Sequence, residues 1–346
     1  MSTPPVQYRR LGRSGLKVSV PIIGAMSFGS SEWNDWVINE DKALPMLKAA
    51  WDLGVNTIDT ANVYSNGESE RIIAKFIKQY NIPRNEIVIL SKCYWLVPKK
   101  VNITGMVNPE LYNQAYDQAE YINQYGLSRA AIFNAVDASL SRLESSYIDL
   151  LQIHRFDEDT PVEETMKALH DLVQSGKVRY IGASSMRTWQ FSLMNHVAEK
   201  NGWTKFVSMQ SEYSLLYREE DREMNPYCKF EGIGLIPWAP IAGGALARPL
   251  NAQTSTARGV DNTKGRVRSD ADKEIINRVE EIAKKKGWTM AQVATVWANS
   301  KVSSPIIGFS SIERLKEALV SDKSLTEEEI KYLEEPYVPM KVRGHK

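Results

Sequence analysis

Eight short apolar, β-branched runs recur along the chain, at 21–24, 55–60, 87–92, 148–154, 178–184, 206–210, 234–238 and 304–308, and longer amphipathic stretches separate them. Short runs alternating with segments of helical period are the pattern of βα units on a parallel sheet, because parallel neighbours need a long crossover between them. Eight such units with no low-complexity linker predict an α/β chain folded as a closed (β/α)8 barrel, one domain over 1–346. A length of 346 residues by itself permits one domain or two. The alternative is an open, doubly wound sheet. Against it, the sequence contains neither the G-x-G-x-x-G turn of a dinucleotide-binding sheet nor a G-x-x-x-x-G-K-[ST] phosphate loop.

The helices carry their own signals. Thr160-Pro161-Val162-Glu163 predicts a capping box with proline at the first helical position, followed by an apolar stripe of Met166, Leu169, Leu172 and Val173 and a stop at Gly176. Ser128 starts a second helix with Ile132, Val136, Leu140 and Leu143 on one face. Thr326-Glu327-Glu328-Glu329 is a capping box on a C-terminal helix outside the repeat. Two connections are long, 97–126 and 239–268, and loops of that length inside a compact domain are usually functional.

Composition narrows the function. Lys and Arg total 43 against 42 Asp and Glu, a net charge of +1, which lacks the basic excess of a nucleic-acid binder. Two cysteines, Cys93 and Cys228, are too few for a disulfide framework and point to a reducing compartment. No run reaches the roughly 18 apolar residues of a membrane span, and the N-terminal segment lacks a signal-peptide core, so a cytoplasmic protein is expected, with no membrane or nucleic-acid partner. Oligomeric state is not legible.

In a (β/α)8 barrel the active site lies at the C-terminal ends of the strands, so the polar residue closing each run matters most. The second run ends in Asp59, with Tyr64 five residues later; the third ends in Lys92, the fourth in His154, the fifth in Ser184-Ser185, the sixth in Gln210, the seventh in Trp238 and the eighth in Gly308. Singly, each has a structural explanation. Together they suggest proton chemistry. A tyrosine hydroxyl, with an unperturbed pKa of about 10, exchanges protons near neutrality only if a cation favours its phenolate. Lys92 can be that cation, Asp59 the carboxylate that keeps it charged, and His154 a group that orients a carbonyl oxygen.

The segments YRRLGRSGLKVS, GVNTIDTANVYSNGESE, ILSKCY, YIDLLQIHRFD, GKVRYIGASS, MQSEYSLL, IPWAPIAGGAL and IIGFSSIERLKEAL together resemble the aldo-keto reductases over nearly the whole chain, and within them the fungal aryl-alcohol dehydrogenase and versiconal hemiacetal acetate reductase branch. The resemblance implies a (β/α)8 TIM barrel with an N-terminal β-hairpin cap and long loops at its C-terminal face. It implies NADPH-dependent reduction of an aldehyde or ketone, with Tyr64 as proton donor and Asp59, Lys92 and His154 completing a tetrad. NADP(H) would contact Ala25, Met26, Asp59, Ser184, Ser185, Gln210, Trp238, Ala239, Pro240, Ile241, Gly243, Arg248, Gly308, Ser310, Arg314 and Glu317.

In this assignment Ser184, Ser185 and Gln210 hold the nicotinamide carboxamide and Trp238 stacks on the ring. The pyrophosphate lies under residues 239–246, and the 2′-phosphate near Gly308, Ser310 and Arg314. Departures from the family pattern are Ser185 in place of Asn or Arg, Ala25 in place of Thr, and Ala318 in place of Asn beside Glu317. Trp33, Tyr94 and Trp95, with Tyr64 and His154, would form an aromatic-walled pocket for a small-molecule carbonyl substrate; Trp36 lies in the same first loop. No metal is expected, since only Asp59 and His154 at the strand ends have ligating chemistry. The alternative in a different class is an NADPH-binding sensor, similar to a channel β subunit, with little turnover.

Overall fold

The computed structural model describes residues 5–252 and 269–345; the part of the predicted 239–268 connection from 253 to 268 lies outside the described residues. Strands β1 (Gln7–Arg10) and β2 (Lys17–Val20) pair as an antiparallel hairpin. Eight parallel strands follow: β3 (Ile22–Gly24), β4 (Thr57–Asp59), β5 (Val88–Cys93), β6 (Ile148–Ile153), β7 (Val178–Ser184), β8 (Ser208–Gln210), β9 (Gly234–Leu235) and β10 (Ile306–Ile307). Their order is β10-β3-β4-β5-β6-β7-β8-β9. Backbone bonds from Ser303 N to Leu235 O at 3.0 Å and from Ile306 N to Pro237 O at 2.9 Å join the two ends, consistent with the (β/α)8 barrel expected from the sequence. The hairpin cap is present as well.

All eight runs are strands, several of them shorter than expected. The seventh and eighth keep two residues each because Pro237 and Pro305, inside the runs, have no N–H to give to a ladder. The α-helices among the described residues are α1 (Glu40–Asp52), α2 (Glu68–Gln79), α3 (Pro109–Ala115), α4 (Arg129–Arg142), α5 (Val162–Gln174), α6 (Thr188–Lys200), α7 (Met224–Glu231), α8 (Asp270–Lys286), α9 (Met290–Lys301), α10 (Ile312–Ala318) and α11 (Glu327–Glu334). Ser128 caps α4, accepting from Ala131 N, and Thr326 with Glu329 makes the reciprocal box on α11. The box expected at Thr160 is absent. Its hydroxyl donates instead to Asp157 at 2.8 Å, and Pro161 occupies the cap position of α5. None of the described helices is long and apolar enough to cross a membrane.

Period-two alternation sorts the strand residues. Ile23, Ile58, Ile89, Leu151, Ile181 and Met209 belong to the large core between sheet and helices. Their neighbours one residue away face the barrel interior. Towards the N-terminal end that interior is apolar: Ile22, Leu90, Leu150, Ile236 and Ile306 cluster with Leu11 and Val18, so the hairpin closes the barrel floor. One step up each strand, the same face carries Asp59, Lys92, Gln152, Ser184 and Gln210, all at most 2% exposed.

The long 97–126 connection is not structureless. It contains α3, and its Tyr112, Ala115 and Tyr121 form a small core with Leu96, with Tyr116 and Tyr125 packed against it.

Candidate active site

Lys92 sits at the centre of the barrel mouth. An ammonium has three donors, and Lys92 Nζ aims all of them at named atoms: Asp59 Oδ1 at 2.5 Å, Thr60 O at 2.8 Å and Tyr64 Oη at 3.3 Å. Register explains the geometry, since β4 and β5 are neighbours and Asp59 lies beside Leu90, one inward step below Lys92. The other carboxylate oxygen, Asp59 Oδ2, accepts from Gln152 Nε2 at 3.0 Å and Gln210 Nε2 at 2.9 Å. The charges are therefore buried, paired and hydrogen-bonded, which is what a buried ion pair requires. Burial disfavours the Lys92 ammonium, but the charge of Asp59 and the bonds to Asp59 and Tyr64 outweigh it, and the pKa is raised.

Tyr64 follows β4 on a short turn of unusual backbone. Ser65 and Asn66 have φ of 48° and 50°, and Gly67 has φ of 95°, three successive residues in the left-handed region. Their contacts hold the turn there. Ser65 Oγ accepts from Ser30 N at 3.2 Å, and Asn66 Nδ2 reaches Lys100 O and Ile103 O at 2.9 and 3.0 Å. A Cβ on Gly67 would come within 2.5 Å of Arg142 Cδ; Arg142 is itself fixed by Glu70, whose other oxygen accepts from Ser91.

The expectation that Lys92 brings the Tyr64 pKa down is only half met. Burial raises it, Lys92 pulls it back, Asp59 adds to the rise, and the net shift is upward. Tyr64 is thus held protonated. Because its oxygen accepts from Lys92, its own proton is directed elsewhere.

His154 follows β6, 9% exposed, with its ring edge-on to Tyr64 and centroids 5.9 Å apart. Burial, then Lys92 and Arg155, hold its pKa well below the ordinary value, so it is a neutral imidazole. Its Nδ1 is buried with no hydrogen-bond partner among the described residues.

Several of the residues expected to contact a cofactor lie at or just beyond the C-terminal ends of the strands. Ser184 lies beside Gln210 across the β7–β8 ladder. Its hydroxyl donates to Gln210 O at 2.7 Å, so towards a carboxamide it is an acceptor. Trp238 is half-buried, with Nε1 3.5 Å from Ser185 Oγ. Beyond it, Ala239, Ala242, Gly243 and Gly244 all have positive φ, and Ala242, Ala245 and Leu246 anchor this turn against α8 and α9. Pro240 is buried, Ile241 and Arg248 are half-buried, and Arg248 approaches Gly244. Ala25 is buried and Met26 half-buried at the end of β3, where Ala25 O accepts from Ser69 Oγ. Gly308, Ser310 and Arg314 are exposed, Glu317 is half-buried, and Ser311 caps α10 through Arg314 N at 3.3 Å.

Among the aromatic wall residues, Tyr94 and Trp95 are half-buried and edge-on, 4.8 Å apart. Trp33 is 3% exposed, with its ring edge-on to that of Trp36 and centroids 6.0 Å apart; Trp36 is half-buried.

Three features of the mouth are not marked by a polar residue closing an apolar run. Gln152 lies two residues before His154 on the same face and binds both Asp59 and Gln210. Arg155 depresses the pKa of His154 and reaches over the Trp95 ring at 5.8 Å. The segment 337–345 folds back to the mouth: Tyr337 Oη and Met340 N donate to Glu219, Arg343 N donates to Tyr217 Oη, and a Cβ on Gly344 would lie 3.8 Å from Trp238 Cζ2. Distance in sequence hides this last contact; the signal for Gln152 is its two-residue spacing from His154, which puts both on one face of the strand.

A barrel whose mouth holds a buried Lys–Asp pair against a tyrosine hydroxyl can deliver a proton to a polar ligand. Residues 22–337 match the model of the Aldo/keto reductase family, and the chain belongs to that family. It is 52% identical to an aldo-keto reductase of Fusarium vanettenii, covering 100% of this chain and 95% of that protein. It is 51% identical to a versiconal hemiacetal acetate reductase of Aspergillus parasiticus (96% and 98% covered) and 50% identical to a putative aryl-alcohol dehydrogenase of Schizosaccharomyces pombe (99% of each).

Proposed function

We propose that this chain is an NADPH-dependent reductase of aldehydes or ketones, with Tyr64 as the proton donor. The observation that carries it is the saturation of Lys92: with its three donors on Asp59, Thr60 O and Tyr64 Oη, Tyr64 keeps its own proton for a ligand. The raised pKa keeps Tyr64 protonated before the reaction, and the adjacent ammonium stabilises the phenolate left after it. A neutral His154 can hydrogen-bond the carbonyl oxygen without competing as a charged acid. The family implies a nicotinamide cofactor, and the mouth fits one. Ser184, Ser185 and Gln210 present polar groups to a carboxamide, the Trp238 indole offers a stacking face, and the positive-φ turn at 239–244 brings backbone close to a pyrophosphate. When bound, the cofactor supplies the hydride.

The preference for NADPH over NADH rests on the exposed Arg314 beside Gly308 and Ser310 as a cation for the 2′-phosphate. An aromatic or hydrophobic carbonyl suits the Tyr94–Trp95 wall, and the names of the reductase and aryl-alcohol dehydrogenase relatives support that substrate class.

The test is Tyr64→Phe, assayed by NADPH oxidation over a panel of aromatic aldehydes. Turnover should fall by about 10²–10⁴-fold, the usual worth of a general acid, while NADPH still quenches tryptophan fluorescence. Unchanged turnover in a folded variant sinks the assignment.

A further inference from the structure

Asp59, Gln152 and Gln210 form a closed hydrogen-bonded triangle under the mouth. Gln210 Nε2 donates to Asp59 Oδ2 at 2.9 Å and to Gln152 Oε1 at 2.8 Å, and Gln152 Nε2 donates to the same Asp59 Oδ2 at 3.0 Å. Both side chains are buried, at 2% and 0% exposure. They come from β8 and β6, which are not neighbours; β7 lies between them.

What lets them meet is Gly182 of β7, the residue in register with Gln152. A Cβ there would stand 2.2 Å from Ser208 Oγ and 3.3 Å from Gln152 Cγ. The missing side chain is the passage through which Gln152 reaches Gln210.

The triangle fixes which way the Gln210 amide points. Both of its N–H groups are committed inward, one to a carboxylate and one to an amide oxygen. Rotating the amide by half a turn would set Gln210 Oε1 against Asp59 Oδ2 and Gln152 Oε1, acceptor against acceptor in a buried site, and would leave those oxygens short of donors. Gln210 Oε1, with no internal donor among the described residues, is left as the atom available to an incoming N–H.

We infer that Gln152 is a positioning residue: it locks the amide orientation of Gln210, so that the barrel mouth presents an oxygen to the carboxamide N–H of a nicotinamide and holds that ring one face down. This rests on the cofactor assignment above, and it assigns to Gln152 the choice of nicotinamide face. Gln152 touches neither cofactor nor substrate in this role; it acts through Gln210.

The experiment compares wild type with Gln152→Met, which keeps length and loses both hydrogen bonds. The variant should bind NADPH about tenfold more weakly by fluorescence titration, the worth of roughly one buried hydrogen bond. With NADPH stereospecifically deuterated at C4, wild type should use one face only and the variant should lose part of that selectivity, a readout that general loosening of the fold would not move. Unchanged affinity and unchanged face selection overturn the inference while leaving the reductase assignment standing. A wild type that neither binds NADPH nor reduces any aldehyde removes the assignment itself. Should Gln152→Met not fold, the wild-type protein still decides: side-chain amide protons of Gln152 and Gln210 protected from solvent exchange support the lock, and freely exchanging ones overturn it.

Discussion

The two ends of this barrel are built from the same eight strands, often from residues two apart on one strand, yet they follow opposite rules. At the floor, Leu90 and Leu150 stand side by side in the β5–β6 ladder with Leu11 and Val18 of the hairpin against them. Two residues further on, the same two strands place Lys92 beside Gln152, and both side chains are as inaccessible to water as the leucines. The floor is held by contact area, which is non-directional and forgiving of shape. The mouth is held by bonds that each need a partner at one position, so every member depends on the rest. Stability and chemistry are separated by about one strand step.

The strongest way to break the mouth is to remove one charge of its central pair. Lys92→Met should destabilise the fold by about 3–5 kcal/mol in urea unfolding, because Asp59 is left buried and uncompensated. Adding Asp59→Asn to the same chain should return much of that loss without restoring turnover. Equal stabilities of wild type and single variant would show that the pair is not held as described.

At the floor, Leu150→Ala should cost about 2–5 kcal/mol, the range for a fully buried leucine, yet leave kcat of the folded fraction within about threefold. A selective loss of turnover would mean that floor and mouth are one cooperative unit.

The smallest effect sharpens the comparison through pH. The unfolded chain protonates His154 near the ordinary histidine pKa of about 6.5, whereas the folded chain resists until well below that. The unfolded state therefore binds more protons at lower pH, and this residue makes stability fall as pH drops through about 6.5 and flatten above it. His154→Gln should lose less Tm than wild type between pH 7.5 and 5. Parallel pH curves for the two proteins would count against a buried, neutral His154.

How much of this was legible in the sequence follows from the same geometry. Short apolar, β-branched runs locate the strands, and a polar residue at the end of such a run marks the step from floor to mouth, which is how Asp59, Lys92 and His154 stand out. Gln152 does not, because it lies inside its run and His154 already closes it; only placing it on the inward face reveals it. Thr160 looked like a helix cap because local spacing cannot show that Asp157 takes its hydroxyl. The contact of the 337–345 segment with Trp238 joins residues about a hundred positions apart, and no pattern in either segment encodes the meeting.

The left-handed turn after Tyr64 has a consequence for how such a protein can change over generations. Ser65 and Asn66 are held in an unfavourable conformation by two different loops, the first through Ser30 N and the second through Lys100 O and Ile103 O, and each left-handed residue costs on the order of 1–2 kcal/mol when unsupported. Those loops are also the ones that carry Trp36 and follow Tyr94 and Trp95. A mutation that reshapes either loop for a new ligand also alters the clamp on the tyrosine, so new specificities in this scaffold are expected to arrive with slower catalysis and to need a second, restoring mutation near the turn.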